Sequence, residues 1–238
     1  MFAPPESHPP VAVGVDGCRG GWIAAIKRPD RELALSFVPR IDDLLRNLPA
    51  EARILVDMII GLPDRDQPQR ACDQMARQAL APHGSRVFAA PPREALDAAD
   101  YEEACERART ATGKAISLQA FHLIPKIRQL DNVSDARIRE SHPDLVFTRL
   151  NGGHPIGASK KTPEGVAARL RALEAVLPGC HGTYLTACHH LARKFVDPDD
   201  TLDALALCAV AQDPGSLSYL PPGPPSFDAR GHPMRIWY

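Results

Sequence analysis

The stretch VAVGVDGCRGGWIAAI, from Val11 to Ile26, constrains the fold more than any other part of the chain. Two apolar runs of strand length flank a glycine-rich loop, and Asp16 stands where the first run stops. The plain reading of Asp16-Gly17 is a tight hairpin turn. Cys18, Arg19, Gly20 and Gly21 then lengthen the loop, so Asp16 more naturally ends a strand within a sheet, where a carboxylate can serve a site.

The elements that follow predict an α/β fold. Strands are expected at 11–16, 22–27, 32–38 and 53–58, with a helix near 41–48 before the last of these. From 65 to about 132 the chain reads as a helical insertion; Ile116, Phe121, Ile124, Ile127 and Leu130 keep helical spacing, and Pro125 is expected to kink that segment. A fifth strand is expected near 136–141. Thr162-Pro163-Glu164 supplies an N-cap, a proline at N1 and an acid in the first turn of a later helix. The last helix, LDALALCAVA, is so apolar that it must lie buried against the sheet. Residues 1–10 read as a flexible Pro-rich arm, 11–213 as one domain, and 214–238 as a Pro-rich tail.

Charge excludes a general polyanion field: 28 basic side chains face 29 acidic ones, for a formal net charge of -1. No apolar run approaches the ~20 residues that span a bilayer, and MFAPPESHPP lacks the basic and apolar regions of a signal peptide. A cytoplasmic protein without a membrane partner is expected. Its six cysteines form no C-x-x-C pair and read as reduced. In GCHGTYLTACHHLARKF, Tyr184, Cys188, Leu191 and Phe195 recur at helical intervals, so Cys180, Cys188 and the adjacent histidines follow core packing rather than a zinc template.

Acids fall where strands or the buried helix end: Asp16, Asp57 in ILVDMIIGLP, Glu140 in IRESHPD, and Asp200 with Asp203 in DPDDTLDALALCA. An acid within an apolar strand, such as Asp57, is costly to bury without a partner, and a divalent cation partners several carboxylates at once. Asp200 has a plain reading as a helix-capping acid, and Glu140 as an ion-pair partner of Arg137 or Arg139. Asp203 lies among Leu202, Leu205 and Leu207 and has to face something polar. Arg19, Lys114, Lys126, Lys160 and Lys161 are candidate phosphate contacts around such a cluster.

Taken together, GVDGCRGGW (14–22), IGLP (60–63), RACDQMAR (70–77), SRVFAAPPR (85–93), GKAISLQAFHLIPKI (113–127), RESHPD (139–144), SKKTPEG (159–165) and DDTLDALALCA (199–209) resemble a family of bacterial and archaeal proteins described as predicted RNase H-like nucleases, a domain of unknown function. The last helix is also similar to the D-x-x-D helix of RuvC-type resolvases. The resemblance implies a ribonuclease H-like fold: a mixed five-stranded sheet with flanking helices and a helical insertion between the fourth and fifth strands. It further implies a Mg²⁺- or Mn²⁺-dependent nuclease acting on DNA or RNA. Two ions ~3.5–4 Å apart would be held by Asp16, Asp57, Asp203 and either Glu140 or Asp200, with Asp16 between them. Ile59 and Asp144 depart from the family, which has proline and glutamate there. Two other classes compete. An actin-like phosphotransferase would need a second lobe that this chain is short for, and a non-catalytic nucleic-acid- or partner-binding scaffold would be expected to have lost some of its acids.

Overall fold

The structure is a computed structural model that describes residues 11–238, so the expected arm at 1–10 lies outside the described residues. Its elements in chain order are β1 (Ala12–Cys18), β2 (Gly21–Lys27), β3 (Ala34–Val38), α1 (Ile41–Arg46), β4 (Arg53–Asp57), α2 (Ala71–Ala79), α3 (Tyr101–Thr112), α4 (Leu118–Asp131), β5 (Ile138–Glu140), α5 (Pro143–Leu150), α6 (Pro163–Glu174), α7 (Cys180–His190), α8 (Pro198–Ala211), β6 (Tyr219–Leu220), β7 (Ser226–Phe227), β8 (Pro233–Met234) and β9 (Ile236–Trp237). The main sheet runs β3-β2-β1-β4-β5. Strands β1, β2 and β3 are antiparallel, whereas β4 pairs parallel with β1 and β5 parallel with β4. This is a mixed α/β sheet with β1 in its centre.

Strand periodicity divides the core into two faces. Val11, Val13, Val15, Trp22, Ile54 and Val56 pack on one side with α4. Ala12, Cys18, Ile23, Ala25 and Leu55 pack on the other, under α8. That helix is buried at every position from Thr201 to Ala211, because the sheet lies beneath it and α5, α6 and α7 pack around it. Its start is fixed by a capping box, in which the Asp197 side chain and the Asp200 side chain each accept a backbone N–H, and by Pro198 in the first turn. Full burial of each leucine in α8 contributes roughly 1.5–3 kcal/mol, so this one helix anchors the face that carries the acids.

Between β4 and β5 the chain forms α2, α3 and α4, and α4 continues through Pro125. Helix α7 ends at His190, earlier than the heptad-like spacing through Phe195 predicts. Phe195 instead leaves the helix and stacks on Phe37, with ring centroids 5.8 Å apart. The Pro-rich tail departs most from its sequence reading. It forms four two-residue strands, and β9 runs beside β5, where Ser141 Oγ donates to the Trp237 carbonyl at 2.6 Å. Asp228 is buried, accepts from Leu62 N–H at 3.0 Å and pairs with Arg93. The tail thereby covers an edge strand that would otherwise expose unpaired backbone groups.

Candidate metal centre

Register brings the first two acids together. Asp16 and Asp57 are direct partners on the parallel strands β1 and β4, so their side chains leave the sheet on the same face. That face is the one beneath α8, since Leu55 and Ala12 belong to its core. Helix α8 brings Asp203 to the same point. One carboxylate oxygen from each of Asp16, Asp57 and Asp203 lies within 4.8 Å of the other two, in the one such group among the described residues. Asp16 and Asp203 are buried, and Asp57, at the end of its strand rather than within it, is half-buried.

Electrostatics mark the cluster as short of positive charge. Burial pushes the Asp16 carboxyl well up from the usual range, and Asp57 and Asp203 push it further. Burial likewise raises Asp57 to about 7 and Asp203 to about 7, against the opposing pull of Lys160. The Lys160 ammonium donates to Asp203 Oδ2 and lies 3.8 Å from Asp199 Oδ2. Asp16 Oδ1 also accepts from Gly17 N–H at 2.6 Å. Oxygen donors in this number suit a hard divalent cation such as Mg²⁺ or Mn²⁺.

A pH prediction follows from these directions. An acid whose pKa is higher in the folded than in the unfolded chain binds more protons when folded, so its contribution to stability falls as pH rises between the two values. For Asp57 that window runs from the model-peptide value of 3.8 to about 7. In metal-free protein, stability measured by urea unfolding should fall between pH 4 and 7 relative to Asp57→Asn, and the two curves should run parallel above that window. Curves parallel throughout would show that Asp57 is not perturbed.

Glu140 is not brought into the cluster. It is paired in register with Val56, whose side chain lies in the opposite core, so its carboxyl leaves the sheet on the face away from α8. There it accepts from Ile60 N–H at 2.6 Å and from the buried Arg70 guanidinium at 2.5 Å. Its partner is therefore neither Arg137, which pairs with Asp135, nor Arg139, which lies 4.4 Å from the Trp237 ring centroid. Burial still raises Glu140 to about 8, with the nearby Asp73 carboxylate adding to the rise and Arg70 opposing it. Asp200 stands near the cluster, raised to about 6 by burial, with one oxygen accepting from Asp197 N–H as its capping reading predicts.

The basic candidates separate cleanly. Lys160 and Lys161 line a cleft of about 540 Å³ that contains the three aspartates. Lys126 lies against Gly17 of β1, with its ammonium 6.0 Å from the Trp22 ring centroid. Lys114 lines a different cavity beside Arg70 and Arg77. Arg19 is exposed and pairs with Asp197 at 3.4 Å. Sequence reasoning passed over several cleft residues: His142, whose pKa burial lowers, and Asp144, held by Arg86 at 3.2 Å and by the buried Arg169 at 3.3 Å. The departure of Asp144 from the family glutamate was the available signal for that position. Cys180 packs in the core and its thiol donates to Glu174 at 3.2 Å.

Fold and site together define an α/β protein whose central strand, its parallel neighbour and its last helix converge three carboxylates in one cleft, a set of oxygen donors that could hold a metal ion. The chain belongs to the family described as Protein of unknown function (DUF429), which it matches from residue 14 to residue 226. No curated protein and no solved structure matches it. No helix among the described residues is long and apolar enough to cross a membrane.

Proposed function

We propose that this protein is a divalent-metal-dependent hydrolase of phosphodiester bonds in DNA or RNA, built on a ribonuclease H-like fold. The observation that carries the reading is the convergence of Asp16, Asp57 and Asp203 from the first strand, the fourth strand and the last helix. The sheet order β3-β2-β1-β4-β5, with three antiparallel strands followed by two parallel ones, supports the same fold. A bound Mg²⁺ or Mn²⁺ supplies Lewis acidity, easing deprotonation of water and taking up charge on the phosphate oxygens.

The protein's own groups have separate tasks. Asp16, Asp57 and Asp203 would fix the cation together, each presenting one oxygen within 4.8 Å of the other two. Lys161 stands exposed at the cleft and is free to meet a phosphate oxygen. Met58, Ile59, Phe88 and Leu123 give the same cleft an apolar wall against which a base or sugar can lie. In the reaction, a water oxygen attacks phosphorus, the bond from phosphorus to one nucleoside oxygen breaks, and that oxygen ends protonated. Because acids crowd the cleft, a polyanion should approach only once a cation is bound.

The test is a cleavage screen with Mn²⁺ over single-stranded, duplex and branched DNA and RNA, using wild type and Asp57→Asn. Cleavage should appear with wild type, vanish with a chelator and be absent from the variant. Equal cleavage by both proteins would remove the site from the chemistry. Metal binding without cleavage of any substrate would instead favour a scaffold.

A further inference from the structure

Lys160 bears on how many ions the carboxylates accept. We propose that the centre is built for one divalent cation, with the Lys160 ammonium taking the place of a second; the proposal rests on the metal-dependent reading above. Most lysines that pair with acids do so at the surface, where the pair is weak. Lys160 reaches inward instead: its side chain is 35% exposed, while the Asp203 side chain it bonds is only 4% exposed. It comes from the loop 151–162 before α6, whose end is set by Thr162 accepting from Gly165 N–H, so its backbone is anchored beside the cleft.

Ligand supply points the same way. Acids beyond the three aspartates that could hold a second ion each have at least one oxygen committed to another group. Glu140 is drawn to Arg70 on the far face of the sheet. Asp144 is held by Arg86 and Arg169. Asp200 caps α8, and Asp199 lies against Lys160 itself. Charge agrees: the three carboxylates of the cluster and one ammonium leave two negative charges, which a single divalent ion neutralises. The sequence-based expectation of two ions, with Asp16 between them, gives way to one ion and one lysine.

The experiment titrates the full-length protein with Mn²⁺, reading stoichiometry by calorimetry and the spin state of the bound ion by electron paramagnetic resonance. One Mn²⁺ per chain with the spectrum of an isolated ion is expected. Two per chain with a spin-coupled spectrum would overturn the proposal and leave the metal-dependent reading standing. No binding at all would sink that reading first. Lys160→Met adds an independent arm: without the competing ammonium the first ion should bind about tenfold more tightly, the effect of one unit charge a few ångströms from a divalent ion in a partly solvated site. Unchanged or weaker binding in that variant would also overturn the proposal. Should Lys160→Met fail to fold, the stoichiometry and spectrum of the wild type decide it alone.

Discussion

Replacing Asp203 by asparagine should lower metal-dependent hydrolysis by on the order of 10³-fold or more, and adding Asp16→Asn to the same protein should lower it no further. The two residues lie far apart in sequence but share one point in space, with carboxylate oxygens within 4.8 Å. Groups that hold one cation act as a unit, so loss of either ligand removes what both provide. Two independent contributors would multiply their losses in the double variant, and that outcome would break the unit apart. The folded state should tolerate each change. Burial and neighbouring carboxylates, Asp57 for both, already push both carboxyls up, so an amide in place of Asp16 relieves the metal-free protein. Asp16→Asn should therefore melt no lower than wild type without metal, whereas Asp203→Asn also gives up its ion pair with Lys160; both should lose the stabilisation that Mn²⁺ gives the wild type. Full activity in Asp203→Asn would leave Asp16 as a buried strand residue with no part in the chemistry.

That pairing was legible in the sequence because it depends on strong patterns. Two apolar strands around a glycine-rich loop placed Asp16, and an almost wholly apolar helix made Asp203 conspicuous as its lone acid past the first turn. Glu140 shows where the same reasoning ran out. Its position at a strand end resembles that of Asp57, but the face it uses depends on strand parity. Ile138 and Glu140 share a face, and their partners Ile54 and Val56 belong to the core away from α8. Parity within the strand was readable; the pairing register that gives it meaning was not.

Partners that arise from loops were hidden for a related reason. Arg70 sits ahead of α2 and is 2% exposed, although nothing in RACDQMAR distinguishes it from a surface arginine. Lys160 and Lys161 are adjacent and chemically alike, yet only the first reaches Asp203, because the turn into α6 aims one inward and leaves the other exposed. The tail was read by composition alone, as Pro-rich, with no strand expected in it. Its strands are two residues long, below the length at which alternation can be recognised, and contacts with β5 and Arg93 hold it in place.

Gly14→Ala should be among the most damaging single substitutions in the chain, although it adds only one methyl group. Gly14 lies in the middle of β1, on the face covered by α8. A Cβ there would sit 2.1 Å from the Ala204 carbonyl oxygen and 2.2 Å from the Cys208 backbone nitrogen. Both are helix backbone atoms, so no change of rotamer can make room. The helix must lift from the strand by more than an ångström, parting leucines buried against the sheet and shifting Asp203, the residue before Ala204. Overpacking against flexible side chains costs about 1–3 kcal/mol; against backbone the cost should exceed ~3 kcal/mol. At about 2–4 °C per kcal/mol for a chain of this size, the melting temperature should drop by ~6 °C or more. Mn²⁺ affinity should fall with it, because the close approach that glycine permits is also what carries Asp203 to Asp16 and Asp57. A variant that melts within ~2 °C of wild type and binds Mn²⁺ equally well would show that α8 does not rest on β1 at Gly14, and the three carboxylates would then lose the contact that gathers them.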